Sequence, residues 1–269
     1  MKVTWHMFVH PVHQAAYTDR IASYVSSIAG PDVEFEFLGL DPPDSEVHRV
    51  SELRTGAQVV ANLIEAERRG ADVCVMGHFQ DPCLWEARGA LDIPVLGLGE
   101  TSMLFACMYG RRVGVVTISP KFIHWHEEQI HRYHLDERIT GVAAMETSVE
   151  HYVAALDDRA AYEAIRAQFI DAGRGLVAAG AEVLIPAGGL PALLFREERD
   201  WKVDGAAVLN PVPLVAKQAE VAGSLRALNG FTTSRHSSFE LATESARDEL
   251  VEHFGGHAAP VRPADGDRG

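Results

Sequence analysis

Basic residues are scarce in this chain of 269 residues: 24 Lys and Arg face 38 Asp and Glu, for a formal net charge of −14 at pH 7. Lysine and arginine supply most of the affinity for nucleic acid, so the balance argues against a phosphate-binding surface and for a small-molecule substrate. Long apolar runs are missing too. No stretch reaches the roughly 18 apolar residues of a membrane span, and the N-terminal MKVTWHMFVHP, with its short apolar run broken by His6, does not read as a secretory signal. The expected setting is the cytoplasm, with neither membrane nor nucleic acid among the partners. Cysteine is sparse: Cys74, Cys83 and Cys107 lack metal-ligand spacing, which fits reduced thiols in a reducing compartment. Cys74 falls in an apolar strand and Cys107 in an apolar helical segment, so both read as core. The length suffices for a large core without disulfides or structural metal, as one domain or two small lobes.

What is present is alternation. Short β-rich runs, VTWHMFV (3–9), VEFEFLGL (33–40), DVCVMG (72–77), PVLGLG (94–99), RVGVVTI (112–118), ITGVAAM (139–145), EVLIPAG (182–188) and AAVLNP (206–211), are separated by helix-length segments. That order implies parallel βαβ units. Residues 51–69 put Val59, Val60, Leu63 and Ile64 on one face and stop at Gly70; residues 158–179 do the same before Gly180. Each helix then enters a strand in the same way, ERRGADVCVMGHF at 67–79 and LVAAGAEVLIPAGG at 176–189. Helix, Gly-Ala, acidic residue, apolar strand and polar turn recur about 110 residues apart, the mark of a duplicated lobe and not of a short-period array. The expected fold is α/β, with two pseudo-symmetric lobes of parallel sheet flanked by helices and an active site in the cleft between them. The first lobe is drawn from 1–104 plus 215–250 and the second from 105–214. The Gly-, Pro- and Asp-rich tail 255–269 is expected to be disordered.

Several motifs now carry a resemblance. FVHPVH (8–13), GHFQDPCLWEAR (77–88), IPVLGLGETSMLFA (93–106), RRVGVVTISP (111–120), LIPAGGLPAL (184–193) and the C-terminal AAVLNPVPLVAKQAE with TTSRHS occur in one order. The chain resembles the aspartate/glutamate racemase superfamily, in particular its hydantoin and allantoin racemase branch. The resemblance implies two lobes, frequent homo-oligomers and two cysteines, one per lobe, that exchange the proton α to a carbonyl from opposite faces. Here both cysteines are missing. His78 stands where the first site usually reads G-C-F-x-D-P. At the second, which usually reads G-C-A-G, the residues are Pro186, Ala187, Gly188 and Gly189. The branch's N-P-N-T loop is replaced by His10-Pro11-Val12-His13. Cys83 lies five residues past His78 and reads as packing.

His78, His10 and His13 are therefore the candidate catalytic residues, with two physical roles open. An imidazole can take a proton from an activated carbon, or polarise a carbonyl and stabilise an enolate. That leaves one-base chemistry open, as an isomerase, lyase, decarboxylase or hydrolase, even though Ala187 has no proton to give. Alternatively the three histidines bind Zn, Mn or Fe with one position open, as in a metal-dependent hydrolase or lyase. A non-catalytic small-molecule-binding protein is the reading from another class. Phe79, Thr117, Ile118, Ser119, Gly188 and Gly189 are expected to bind substrate through hydroxyls and backbone N–H groups at strand ends. Glu100 matches a glutamate usual in the branch. Of the histidines in FIHWHEEQIHRYHL (122–135), His124 is expected to face the cleft and the others to lie on the surface, and His236 is a further candidate to reach the pocket.

Overall fold

A computed structural model describes residues 1–44 and 47–263 of the chain, which divides into two compact units: Met1–Gly97 with the chain from Val215 on, and Leu98–Leu214. The first unit runs β1 (Lys2–His6), α1 (Ala15–Ile28), β2 (Glu34–Leu40), α2 (Arg49–Arg68), β3 (Val73–Met76), α3 (Leu84–Ala90) and β4 (Val95–Gly97). The second runs α4 (Leu98–Ala106), β5 (Val113–Thr117), a short 3-10 turn (Pro120–Phe122), α5 (Ile123–Arg132), β6 (Ile139–Ala144), α6 (Val149–Ala155), α7 (Arg159–Ala178), β7 (Val183–Ala187), α8 (Gly189–Leu194), β8 (Lys202–Val203) and β9 (Ala206–Val208). Helix α9 (Pro211–Asn229) returns the chain to the first unit, which α10 (Glu244–Phe254) and β10 (Ala258–Val261) complete.

Each unit holds a five-stranded sheet, ordered β10-β2-β1-β3-β4 in the first and β6-β5-β7-β9-β8 in the second. Four strands of each are parallel; β10 on β2 and β8 on β9 are the antiparallel additions at one edge. This is the two-lobed α/β architecture expected from the alternation.

The repeat seen in the sequence has a common atomic form. Gly70 and Gly180 end α2 and α7 at φ 89° and 103°, a left-handed conformation that side chains resist. Behind them Ala71 N–H donates to Ala66 O at 3.1 Å and Ala181 N–H to Leu176 O at 2.9 Å. The acidic residue then clips the start of the neighbouring strand: the Asp72 carboxylate accepts from Lys2 N–H at 2.8 Å, and that of Glu182 from Arg111 N–H at 2.5 Å. Beyond both, the strands VCVM and VLIPA are buried throughout, as parallel strands covered on both faces must be.

Three expectations are corrected here. The first break falls at Gly97/Leu98 and not after 104, because β4 passes into α4 without a loop. The tail is not disordered over 255–263: Ala258–Val261 pairs with Leu40 to Phe37, and Val261 is buried, since the exposed edge of β2 offers backbone partners that outweigh the segment's poor composition. Residues 264–269 lie outside the described residues. Cys107 lies one residue past α4 and is only half-buried, whereas Cys74 is core as expected. Among the described residues no helix is long and apolar enough to cross a membrane.

Candidate active site

In the first unit, parallel strands β1 and β3 end side by side, with His6 in register with Met76. The chain leaves β3 through Gly77, where a Cβ would sit 2.3 Å from Trp5 Nε1 and 3.0 Å from His6 O. Trp5 is completely buried, so only glycine fits. Gly77→Ala is expected to cost about 1–3 kcal/mol by overpacking, read as a lower urea midpoint at pH 7; an unchanged midpoint would mean that the indole yields freely.

His78 follows immediately. Its ring lies 4.9 Å from that of Phe8, centroid to centroid, and its Nδ1 accepts from Gln80 N–H at 3.3 Å. With Nδ1 occupied as an acceptor, the neutral ring carries its proton on Nε2. His10 has the same polarity: Nδ1 accepts from Val12 N–H at 3.2 Å and His13 N–H at 3.4 Å, while Nε2 lies 3.9 Å from Asp41 Oδ1. The exposed His13 ring stacks on His10 at 4.4 Å, and no side-chain hydrogen bond holds it among the described residues.

This arrangement does not fit the three-histidine metal centre. Among the described residues no group of three His, Cys, Asp or Glu side chains stands close enough to share an ion.

Phe79, only 2% exposed, buries its ring in the core, so what it can offer a ligand is its backbone. Cys83 begins α3 at φ 59°, with Sγ 2.6 Å from where a Cβ on Gly56 of α2 would lie, so its thiol packs into the helix interface. Cys74 is buried in β3, where burial pushes its thiol pKa far up. His6, at the end of β1, is buried with Nδ1 at 2.9 Å from Met7 O and Nε2 at 2.9 Å from Asn62 Nδ2; burial lowers its pKa to about 4.

In the second unit, Thr117 ends β5 in register with Ala187 at the end of β7. The turn of Gly188, at φ 131°, and Gly189 opens α8 beside it. Ser119 Oγ caps the 3-10 turn, accepting from Lys121 N–H, and the partly buried Ile118 side chain packs against the core of the unit. Glu100 lies in the first turn of α4.

The α5 histidines reverse the expectation. His124 is exposed and pairs with Glu127 at 2.8 Å, whereas His126, expected on the surface, is buried. His126 Nε2 lies 3.1 Å from Thr117 Oγ1 and its Nδ1 3.2 Å from Gln129 Oε1; burial lowers its pKa to about 4. The available signal was spacing, since His126 and Ile130, four residues apart, share the helix's inner face. His236, in the first unit, is exposed.

A family model described as Asp/Glu/Hydantoin racemase matches residues 9–219. The chain belongs to the Asp/Glu/hydantoin racemase family. Its relatives include the hydantoin racemase of Rhizobium meliloti, 25% identical over 180 residues that cover 67% of this chain and 72% of that protein. Another is the hydantoin racemase of Pseudomonas sp. (strain NS671), 31% identical over 84 residues, covering 31% of this chain and only 34% of that protein. The solved allantoin racemase of Klebsiella pneumoniae shares the fold with a TM-score of 0.72 at 23% identity, covering 91% of this chain and 94% of its own. Within this racemase family, the chain sets histidine and alanine at the two strand ends where the resemblance leads one to expect thiols; its own thiols lie in β3, at the start of α3 and, half-buried, past the end of α4.

Proposed function

We propose that this racemase-family enzyme acts on a small carboxylate or a cyclic amide or imide, by histidine-centred acid/base chemistry at or next to a carbonyl. The observation that carries the reading is the hydrogen bond from Gln80 N–H to His78 Nδ1. It makes the neutral His78 a donor through Nε2–H, suited to polarise a carbonyl and to hold the oxygen of an enolate. His10, with Nε2 toward Asp41, is a second donor of the same kind. His13, exposed and unheld, is the group that takes the proton and exchanges it with solvent. With His13 as the one proton-exchanging group, the exchange is one-sided.

The test is α-proton exchange in deuterated water, using 5-methylhydantoin, allantoin and methylsuccinate as single enantiomers. One-sided chemistry incorporates deuterium into the starting enantiomer faster than it forms the opposite one. Deuterium arriving only with inversion contradicts the reading and favours a two-base racemase. Saturable binding without any exchange favours a binding protein instead.

A further inference from the structure

Thr117 stands in the second unit at a strand end read above as a ligand position, and this inference rests on that reading. Its hydroxyl is not idle: Oγ1 lies 3.1 Å from Nε2 of the buried His126, whose Nδ1 lies 3.2 Å from Gln129 Oε1. Thr117 and His126 are each 1% exposed, and Gln129 2%. The direction of the chain follows from its last member. Gln129 Oε1 can only accept, so the ring proton sits on Nδ1, and Nε2 must accept from the Thr117 hydroxyl. Burial keeps the ring in that neutral form by lowering its pKa to about 4. The one proton of Thr117 is thus directed inward, and what remains on Oγ1 is lone pair.

We propose that His126, fixed by Gln129, is a positioning residue that makes Thr117 Oγ1 a dedicated hydrogen-bond acceptor, so that this strand end selects ligands bringing an N–H over ligands bringing only carboxylate or carbonyl oxygens. A carboxylate oxygen against the same atom would meet lone pair with lone pair at a nearly dry position, where an unmatched polar group is most costly. The register partner of Thr117 is Ala187, whose methyl group supplies no competing donor. Selection at this point therefore falls to the Thr117 oxygen.

The experiment has two arms on the intact chain. Long-range nitrogen-carbon correlation NMR of the wild type reads the His126 tautomer directly: Nδ1–H is expected, and Nε2–H overturns the proposal. Calorimetric titration then compares hydantoin, 1-methylhydantoin, 3-methylhydantoin and succinate. Hydantoin is expected to bind roughly tenfold or more tighter than at least one methylated form and than succinate. Thr117→Val should collapse that gap and Thr117→Ser keep it. His126→Phe should narrow it, because the freed hydroxyl can turn and donate. If succinate binds as well as hydantoin and methylation has no effect, this inference fails while the broader ligand class stands. If none of the four binds, both fail.

Discussion

His78→Ala should lower the rate of α-proton exchange by roughly 100- to 10,000-fold, the range over which one positioned acid or base contributes. The expectation rests on position and polarity. His78 follows the strand-end glycine that only a residue without a Cβ can fill, so its backbone is fixed by the packing of Trp5. The Gln80 N–H then fixes which ring nitrogen carries the proton. A residue used only to close the turn would be replaced with little effect on rate by Asn, whose side-chain oxygen can accept from the same N–H. His78→Asn is therefore the informative companion: it should keep the urea midpoint near wild type yet lose nearly as much rate as His78→Ala. Activity retained in His78→Asn would reduce His78 to a turn residue.

Acid should begin to destabilise the protein from about pH 6.5 downward, above the ordinary carboxylate range. His6 and His126 are buried and neutral, each with a pKa lowered to about 4 from 6.5. Above pH 6.5 they are neutral in both folded and unfolded chains and contribute nothing. Between 6.5 and 4 the unfolded chain takes up the two protons and the folded chain does not, so the unfolded state binds more protons and stability rises with pH across that window. Each histidine accounts for about 3 kcal/mol once pH falls to 4, and together they should remove about 5 kcal/mol between pH 7 and 4.5. Urea unfolding at a series of pH values measures this. The midpoint should fall continuously over the window, and His126→Gln should roughly halve the slope. A flat midpoint from pH 7 to 4.5 would mean that both rings are charged or solvated in the folded protein.

Much of the fold was legible because local chemistry and global architecture agree. The Gly-Ala-acid step at residues 70–72 and 180–182 predicts a helix stop, a chain reversal and a buried strand, and the structure adds the reason for the acid, which accepts a backbone amide at the start of the neighbouring strand or just before it. The boundary at Gly97/Leu98 was hidden because IPVLGLG (93–99) runs apolar straight across the junction, and neither strand nor helix periodicity marks where one becomes the other. The tail was misjudged because its four paired residues are recruited by the edge of β2, a partner distant in sequence.

The site was legible in position more than in polarity. Motif order brought His10, His13 and His78 to the ends of two adjacent strands of one unit, but histidine content alone cannot say which nitrogen carries the proton. That depends on the backbone amides of Val12 and Gln80. The metal centre fails on spacing, since no three ligand side chains come together among the described residues. His126 was misplaced because a histidine among charged neighbours reads as surface, although its phase on α5 puts it inside with Ile130. Phe79 keeps its place after His78 in the motif, with its ring in the core.

The central claim is that a racemase-family site works here without a thiol. The most direct measurement is α-proton exchange by a variant carrying Cys74→Ala, Cys83→Ala and Cys107→Ala together, with circular dichroism confirming its fold, run beside His78→Ala on the same substrate. The account predicts that the cysteine-free protein keeps its exchange rate within a few-fold while His78→Ala loses it. Loss of exchange in the cysteine-free variant with retention in His78→Ala would contradict it.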